Sequence, residues 1–407
     1  MSKKAENVTK EHRLTLYWRI LLVVAAVWAV FFVLSFIKSF DDWYVNHIHP
    51  VLHGVVARAF DVFPFAVGEI VMYLTFVFVV VTVILSIVYG VRWLVRKVRK
   101  KERKKSAFYR NYMKVFLAVF ALCLWTYLFH WWIPYNGHVV GEEPKRRGYT
   151  AEEYRYVRNL VGARFRAAQE ALPRDADGRI IYPDKKTAYE QVVRALKNLS
   201  DRYPRLKGFY GQPKAAKCSD VLDWMYIGGY TYPYTMEITY NKYVDNLYWY
   251  TLIAHEAAHS KGFYKENEGE FMGDISCILS DDPITAYSGC DDIYYALESA
   301  MWNALVSEFG LEEGTRLYSE YQAEDAEFMP DFEQVYLDET DAFRAAKEAY
   351  AADDHPLEQY ADTAAEVADT GWDVQEKVSQ ENYYDDGTRL IMDYFIGLRD
   401  KAAEGGK

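Results

Sequence analysis

Three stretches of this chain are apolar almost without interruption; beyond them, polar and apolar positions recur with helical spacing. The uninterrupted stretches run from Leu14 to Ile37, from Ile70 to Val91 and from Val115 to Ile133. Each is close to the ~20 residues a helix needs to cross a bilayer core. Only Arg19 is charged within them, near enough to an end for its side chain to reach the polar boundary. Runs of this length have no polar face to offer water, so the pattern predicts three transmembrane helices. The first is too long for a cleavable leader and reads as an anchor that also targets the chain.

From residue 138 onward the pattern turns amphipathic. Tyr149 to Leu172 predicts a helix opened by a capping box over Thr150 to Glu153, and Thr187 to Arg202 predicts a second. Pro204 to Ala216 reads as a loop. The aromatic and β-branched stretch 224–241 reads as a strand or paired strands, broken at Gly228, Gly229 and Pro233. Ile284 to Leu311 is helical, residues 312–380 are acidic and mainly helical, and Tyr384 to Leu398 closes as an amphipathic helix. The predicted class is a membrane-anchored, mainly α protein with a small β-sheet.

Charge sets an orientation for these spans. Lys3, Lys4, Lys10 and Arg13 precede the first, and eleven basic residues lie between Arg92 and Lys114 against one acid. The connection between the first two spans holds only Lys38 and Arg58. By the positive-inside rule the tail 1–13 and the loop 92–114 face the cytoplasm, and the multi-pass region 14–137 delivers residues 138–407 to the outer side of the plasma membrane. Residues 1–137 hold 18 basic and 7 acidic residues, whereas residues 138–407 hold 29 and 51. So acidic an exterior domain excludes nucleic acid as a partner; the basic loop suits anionic lipid. Of the four cysteines, Cys123 lies in a span and Cys218, Cys277 and Cys290 in the exterior domain, which allows at most one disulfide there.

The candidate chemistry is concentrated in His255-Glu256-Ala257-Ala258-His259. Two histidines four apart on a helix point the same way and can share one metal ion; a glutamate between them can act on a water at that ion. Asn246 is the expected N-cap of this helix, and Gly262 supplies a left-handed residue at its end. The spacing is that of zinc peptidases, so the expected cofactor is Zn2+ and the expected general base is Glu256.

A catalytic zinc requires a third protein ligand. The HExxHxxGxxH pattern fails here, because position 265 is Lys265. The next segment, KENEGEFMGDISCIL, predicts an antiparallel helix with Phe271, Ile275 and Ile278 buried and Glu266, Glu270 and Asp274 on one face. Glu266 is the expected ligand in a gluzincin-type site and Glu268 the alternative, with Glu270 expected to orient a histidine from behind. Asn267 with Glu270 also reads as a capping box, which would leave Glu266 just outside the helix. The strand before the metal helix is the expected docking edge for an extended peptide, with Tyr230, Tyr232 and Tyr234 along it. Tyr287 is the candidate to stabilise an oxyanion. His47, His49 and His53, between the first two spans, could bind a metal but read first as polar residues at the membrane surface. Glu69 reads as a dipole-favoured residue opening the second span, or one that reaches the exterior domain.

These pieces together resemble an uncharacterised bacterial family with three N-terminal spans and an extracytoplasmic zinc-peptidase-like domain of unknown function. The matching segments are PFAVGEI at 64–70, GGYTYPYTMEI at 228–238, HEAAHSKGF at 255–263, KENEGEF at 265–271, AYSG at 286–289 and YDDGTRLIMDYF at 384–395. Where the family has an Ala-Asn pair this chain has Gly269-Glu270. The resemblance implies an α+β zincin-like exterior domain and a membrane-bound metallopeptidase acting on peptides or proteins outside the cell. It implies no particular substrate. The alternative from another class is a catalytically silent membrane receptor or assembly factor that keeps zinc for structure.

Overall fold

The computed structural model of the chain describes residues 15–101, 106–137, 140, 148–379 and 383–405. The predicted tail 1–13 and residues 102–105 of the basic loop lie outside them. The first apolar stretch forms α1 (Leu16–Leu34). Two helices, α2 (Lys38–His47) and α3 (His49–Asp61), follow where the sequence predicts only a connection. The second apolar stretch is α4 (Val67–Val98). The third is α5 (Ala107–Tyr127), prolonged by a π turn at Leu128–Trp132 and a last turn, α6 (Ile133–Asn136).

Three helices, Leu16–Leu34, Val67–Val98 and Ala107–Asn136, are long and apolar enough to cross a membrane. Their outward side chains, such as Leu22, Val23, Leu74, Phe76 and Leu122, are exposed, a surface compatible with lipid and costly in water. The helix that starts at α5 is flanked by the other two. Tyr17 Oη donates to the Lys114 carbonyl (2.7 Å) and Trp28 Nε1 to the Leu124 carbonyl (3.1 Å), so α1 runs parallel to it. Thr82 Oγ1 meets Tyr112 Oη at 2.7 Å and Tyr109 Oη meets Ser86 Oγ at 3.3 Å, so α4 runs antiparallel. The ends near Leu34, Val67 and Asn136 therefore lie together, away from the basic end.

At that common end sits the remainder of the chain: α7 (Ala151–Ala171), α8 (Lys185–Asn198), β1 (Lys214–Ala215), α9 (Ser219–Trp224), β2 (Gly229–Tyr232), β3 (Glu237–Tyr240), α10 (Tyr248–Ser260), α11 (Glu266–Ile278), α12 (Pro283–Phe309), α13 (Leu311–Glu324), α14 (Phe332–Ala351), α15 (Ala361–Ser379) and α16 (Tyr383–Gly405). The three strands form one mixed sheet in the order β1-β3-β2, with β1 parallel and β2 antiparallel to β3. Two residues of the expected loop 204–216 thus pair as β1. The predicted capping box is present on α7: Thr150 Oγ1 accepts from Glu153 N (3.2 Å), and Glu153 Oε2 from Thr150 N (3.1 Å). One core joins α7, α8, α10, α11, α12 and α16 through Phe165, Tyr189, Trp249, Ile253, Phe271, Tyr294 and Ile391. All four cysteines are free.

Two carboxylates fasten this domain to the second apolar helix in opposite directions. Glu237 of β3 accepts from Val67 N (3.1 Å) and Gly68 N (2.6 Å), satisfying the open N–H groups at the start of α4. The buried ammonium of Lys214 donates to the same carboxylate at 2.5 Å. Glu69 of α4 reaches the other way and accepts from Lys217 N (2.9 Å) and Cys218 N (2.8 Å). Its contact with the domain was one of two sequence alternatives.

Two of the three histidines that follow the first apolar helix depart from the surface role expected of them. His47 is exposed, but His49 and His53 are buried, at 0% and 2% exposure. The α2–α3 hairpin tucks beneath the turn between α10 and α11, where His49 Nε2 lies 3.2 Å from Tyr264 Oη. Gly262 makes room for it. A Cβ there would stand 3.2 Å from His49 Nδ1, and its φ of +92° suits glycine.

Candidate metal centre

The helix that carries the histidine pair is buried on nearly every side. From Trp249 to Ser260 only His255 is less than fully buried. It begins one residue earlier in its capping than expected: Asp245, not Asn246, accepts from Leu247 N (2.9 Å) and Tyr248 N (2.8 Å). After the Gly262 turn the chain returns as α11, antiparallel to α10. Two glycines on one face of α11 let the helices approach closely. A Cβ on Gly273 would lie 3.1 Å from His255 N, and one on Gly269 would lie 2.7 Å from His259 Cε1 and 3.0 Å from His255 Cε1.

The outcome is a compact three-residue cluster. Donor atoms of His255, His259 and Glu266 all lie within 4.8 Å of one another. Glu266 Oε2 is 3.2 Å from His255 Nε2 and 3.6 Å from His259 Nε2. A tetrahedral zinc with bonds of ~2.1 Å holds its ligand atoms ~3.4 Å apart, so these separations suit a shared ion. The rings cross at 84° with centroids 4.4 Å apart. His259 Nδ1 donates to the Phe263 carbonyl at 2.6 Å; because a carbonyl only accepts, this bond leaves Nε2 facing Glu266.

Glu266 is the first residue of α11, so its carboxylate also sits at a favourable helix end. The predicted Asn267–Glu270 capping box is not formed: the helix starts before it, and Asn267 Oδ1 is buried without a partner. Burial opposes charge on both His259 and Glu266, but each stabilises the ionised form of the other. The imidazole is raised to about 9 and the carboxyl is held well below its usual range.

Glu256, 4% exposed, lies on the neighbouring face of α10. Burial pushes its carboxyl up, partly offset by the two histidines. Thr231 Oγ1 of β2 stands 2.9 Å from Glu256 Oε2 and 2.7 Å from the Glu256 carbonyl, which orients the carboxylate. The edge strand and the glutamate are thus joined directly. A Cβ on Gly229 would meet Glu256 Cγ at 3.2 Å.

The other residues singled out in the sequence lie elsewhere. Glu268 points away from the histidines and accepts from Val140 N at 2.9 Å, because two residues along a helix is more than half a turn. Glu270 packs against Gly387 of α16, and the His259 imidazole is oriented by the Phe263 carbonyl instead. Burial, with Asp292 and Glu266 adding to it, raises the Glu270 carboxyl to about 7. Tyr287 is fully buried against Phe165, and its hydroxyl donates to Asp338 at 3.0 Å. Its ring belongs to the core face of α12. Tyr230 and Tyr232 lie on β2, but alternation places them opposite Thr231. Tyr232 packs on Gly68, and Tyr234 falls in the turn after the strand.

Sequence comparison matches residues 44–350 to a family described as a protein of unknown function, DUF3810. The chain belongs to this family. The matched region holds the last two apolar helices, the sheet and the histidine cluster, whereas the segment YDDGTRLIMDYF lies beyond it. No curated protein and no solved structure matches the chain.

Sequence reasoning missed three contributors to the site: Thr231, the Phe263 carbonyl and the Gly269/Gly273 pair. Only the last left a signal, a Gly-x-x-x-Gly spacing on one face of a helix. The first two act across turns and strands that no local pattern aligns.

Proposed function

We propose that this DUF3810 protein is a membrane-bound zinc peptidase with a zincin-like exterior domain on the outer side of the membrane. The observation that carries the reading is the three-donor cluster beside a buried, oriented glutamate. Among the described residues the cluster comprises His255, His259 and Glu266 and no fourth donor. Three protein ligands leave a tetrahedral ion one position for water, the pattern of a catalytic site, whereas a structural zinc is closed by four.

A zinc ion bound there supplies a Lewis acid that acidifies a water and polarises a carbonyl. His255 and His259 would hold it through Nε2, and Glu266 would add the negative charge. The carboxylate of Glu256 takes one proton from the attacking water as the water oxygen bonds to the carbonyl carbon. When the C–N bond breaks, Glu256 returns that proton to the departing amine. One water is consumed, and a carboxyl and an amine are released. Thr231 holds Glu256 in place, and β2 offers its open edge to an extended peptide. Peptide hydrolysis by the purified protein, lost on chelation and restored by zinc, tests this reading; activity indifferent to chelation refutes it. A zinc-binding receptor without turnover is the alternative, and the same assay separates the two.

A further inference from the structure

The candidate site sits on the ends of the apolar helices, and the substrate edge runs into them. Strand β2 pairs with β3 on one side, and among the described residues no strand pairs with its other side. It ends in the turn at 233–236, which rests on the apolar helices. His130 Nδ1 donates to the Pro233 carbonyl at 2.7 Å. A Cβ on Gly68 would fall 2.5 Å from Tyr232 Cδ1, so the backbone of α4 lies directly on that ring. Glu237, at the start of the next strand, binds the first N–H groups of α4.

The metal cluster is equally near. The His259 ring lies parallel to that of Tyr264, with 6.5 Å between centroids, and Tyr264 packs on Trp131 at 4.5 Å. Trp131 belongs to the helix Ala107–Asn136. That end of the helix carries Trp125, Tyr127, Trp131, Trp132 and Tyr135, the kind of aromatic belt that marks a membrane–water boundary. Exposed Val62, Phe63 and Phe65 precede α4 at the same level. One ring, that of Tyr264, separates His259 from that belt.

We infer that the substrates are polypeptides themselves anchored in the bilayer, cut in the extended stretch next to their anchor. This rests on the peptidase reading above and narrows it to a substrate class. A strand added to β2 passes Glu256 at one end and reaches the membrane boundary at the other, so a chain leaving the bilayer enters the edge without a long excursion. At ~3.3 Å per residue the bond cut lies within about ten residues of the anchor.

The test uses the full-length protein in lipid nanodiscs, which leave both faces open. Three randomised peptide libraries are compared: free peptides, peptides on a dipalmitoyl anchor through a spacer of about five residues, and peptides on the same anchor through about forty. Products are read by mass spectrometry against a Glu256→Gln blank. Both anchored libraries share the surface concentration, so their ratio reports geometry alone. The expected result is cleavage of the short-spacer library at least about tenfold faster than either other library, at bonds close to the anchor. Equal rates in all three, or a preference for free or long-spacer peptides, overturn the inference and leave the peptidase reading standing. No cleavage above the blank in any library overturns both.

Discussion

Zinc should stabilise this protein through Glu266 and not through Glu268, and the size of the effect can be worked out. An ion that binds only the folded chain adds about 2.7 kcal/mol when free zinc is a hundredfold above its dissociation constant. For a domain of this size that raises the unfolding midpoint by roughly 5–10 °C. Glu266 Oε2 stands 3.2 and 3.6 Å from the two imidazole nitrogens, so Glu266→Gln removes the only anionic donor of the cluster. Losing a direct ligand should weaken binding by at least the ~100-fold that loss of a supporting contact can cost. At the same zinc concentration the stabilisation then falls to about 0.4 kcal/mol or less. Glu268→Gln keeps an acceptor for Val140 N and should retain the full shift. Protons compete for the site, because His259 titrates at about 9 and must lose its proton to bind. Apparent affinity should therefore rise about tenfold from pH 7 to 8 and about fivefold from pH 8 to 9. Thermal unfolding of the detergent-solubilised variants, with chelator or buffered zinc, measures all of this. Equal shifts in wild type and Glu266→Gln, or loss of the shift in Glu268→Gln alone, would refute the assignment.

Other predictions follow from single contacts. Glu256→Gln should abolish peptide hydrolysis while zinc, measured by elemental analysis, stays bound. Thr231→Val removes a charge-assisted hydrogen bond worth about 1.5–3 kcal/mol, so kcat should fall roughly 10- to 100-fold with KM little changed; an unaltered kcat would remove Thr231 from the mechanism. Glu237→Ala leaves the Lys214 ammonium buried without its anion and uncaps α4, and should destabilise the protein by about 3–5 kcal/mol in a denaturant titration. Glu270 ionises at about 7 when folded, above its ordinary 4.5, so its ionisation opposes folding progressively as pH rises between those values. In chelator, Glu270→Gln should be more stable than wild type by up to about 3 kcal/mol at pH 8, and no more stable at pH 4.

The parts of this protein that depend on local pattern were legible in the sequence. Three apolar runs define three helices because nothing but length and the absence of charge is required of them. The α7 capping box, the left-handed Gly262 and the paired faces of His255 and His259 are likewise properties of a few adjacent residues. Partners chosen across the fold were not legible. Asp245 and Asn246 are both good caps, and only the path of the chain selects the aspartate. Tyr287 is one of 35 tyrosines, and its placement against Phe165 and Asp338 depends on how α12 packs.

Taken alone, the sequence determined the three long apolar helices, the amphipathic domain after them and the two histidines with Glu256 between, because helical periodicity aligns residues three and four apart without outside help. The tertiary structure decided the rest. It brought Glu266, and not Glu268, beside the imidazoles, since the antiparallel return of α11 turns only one of them that way. It set Thr231 against Glu256, buried His49 and His53 beneath the Gly262 turn, and tied β3 to α4 through Glu237 and Glu69. Those choices depend on which surfaces meet when apolar area is buried, and contacts between residues more than two hundred positions apart leave no trace in a local pattern.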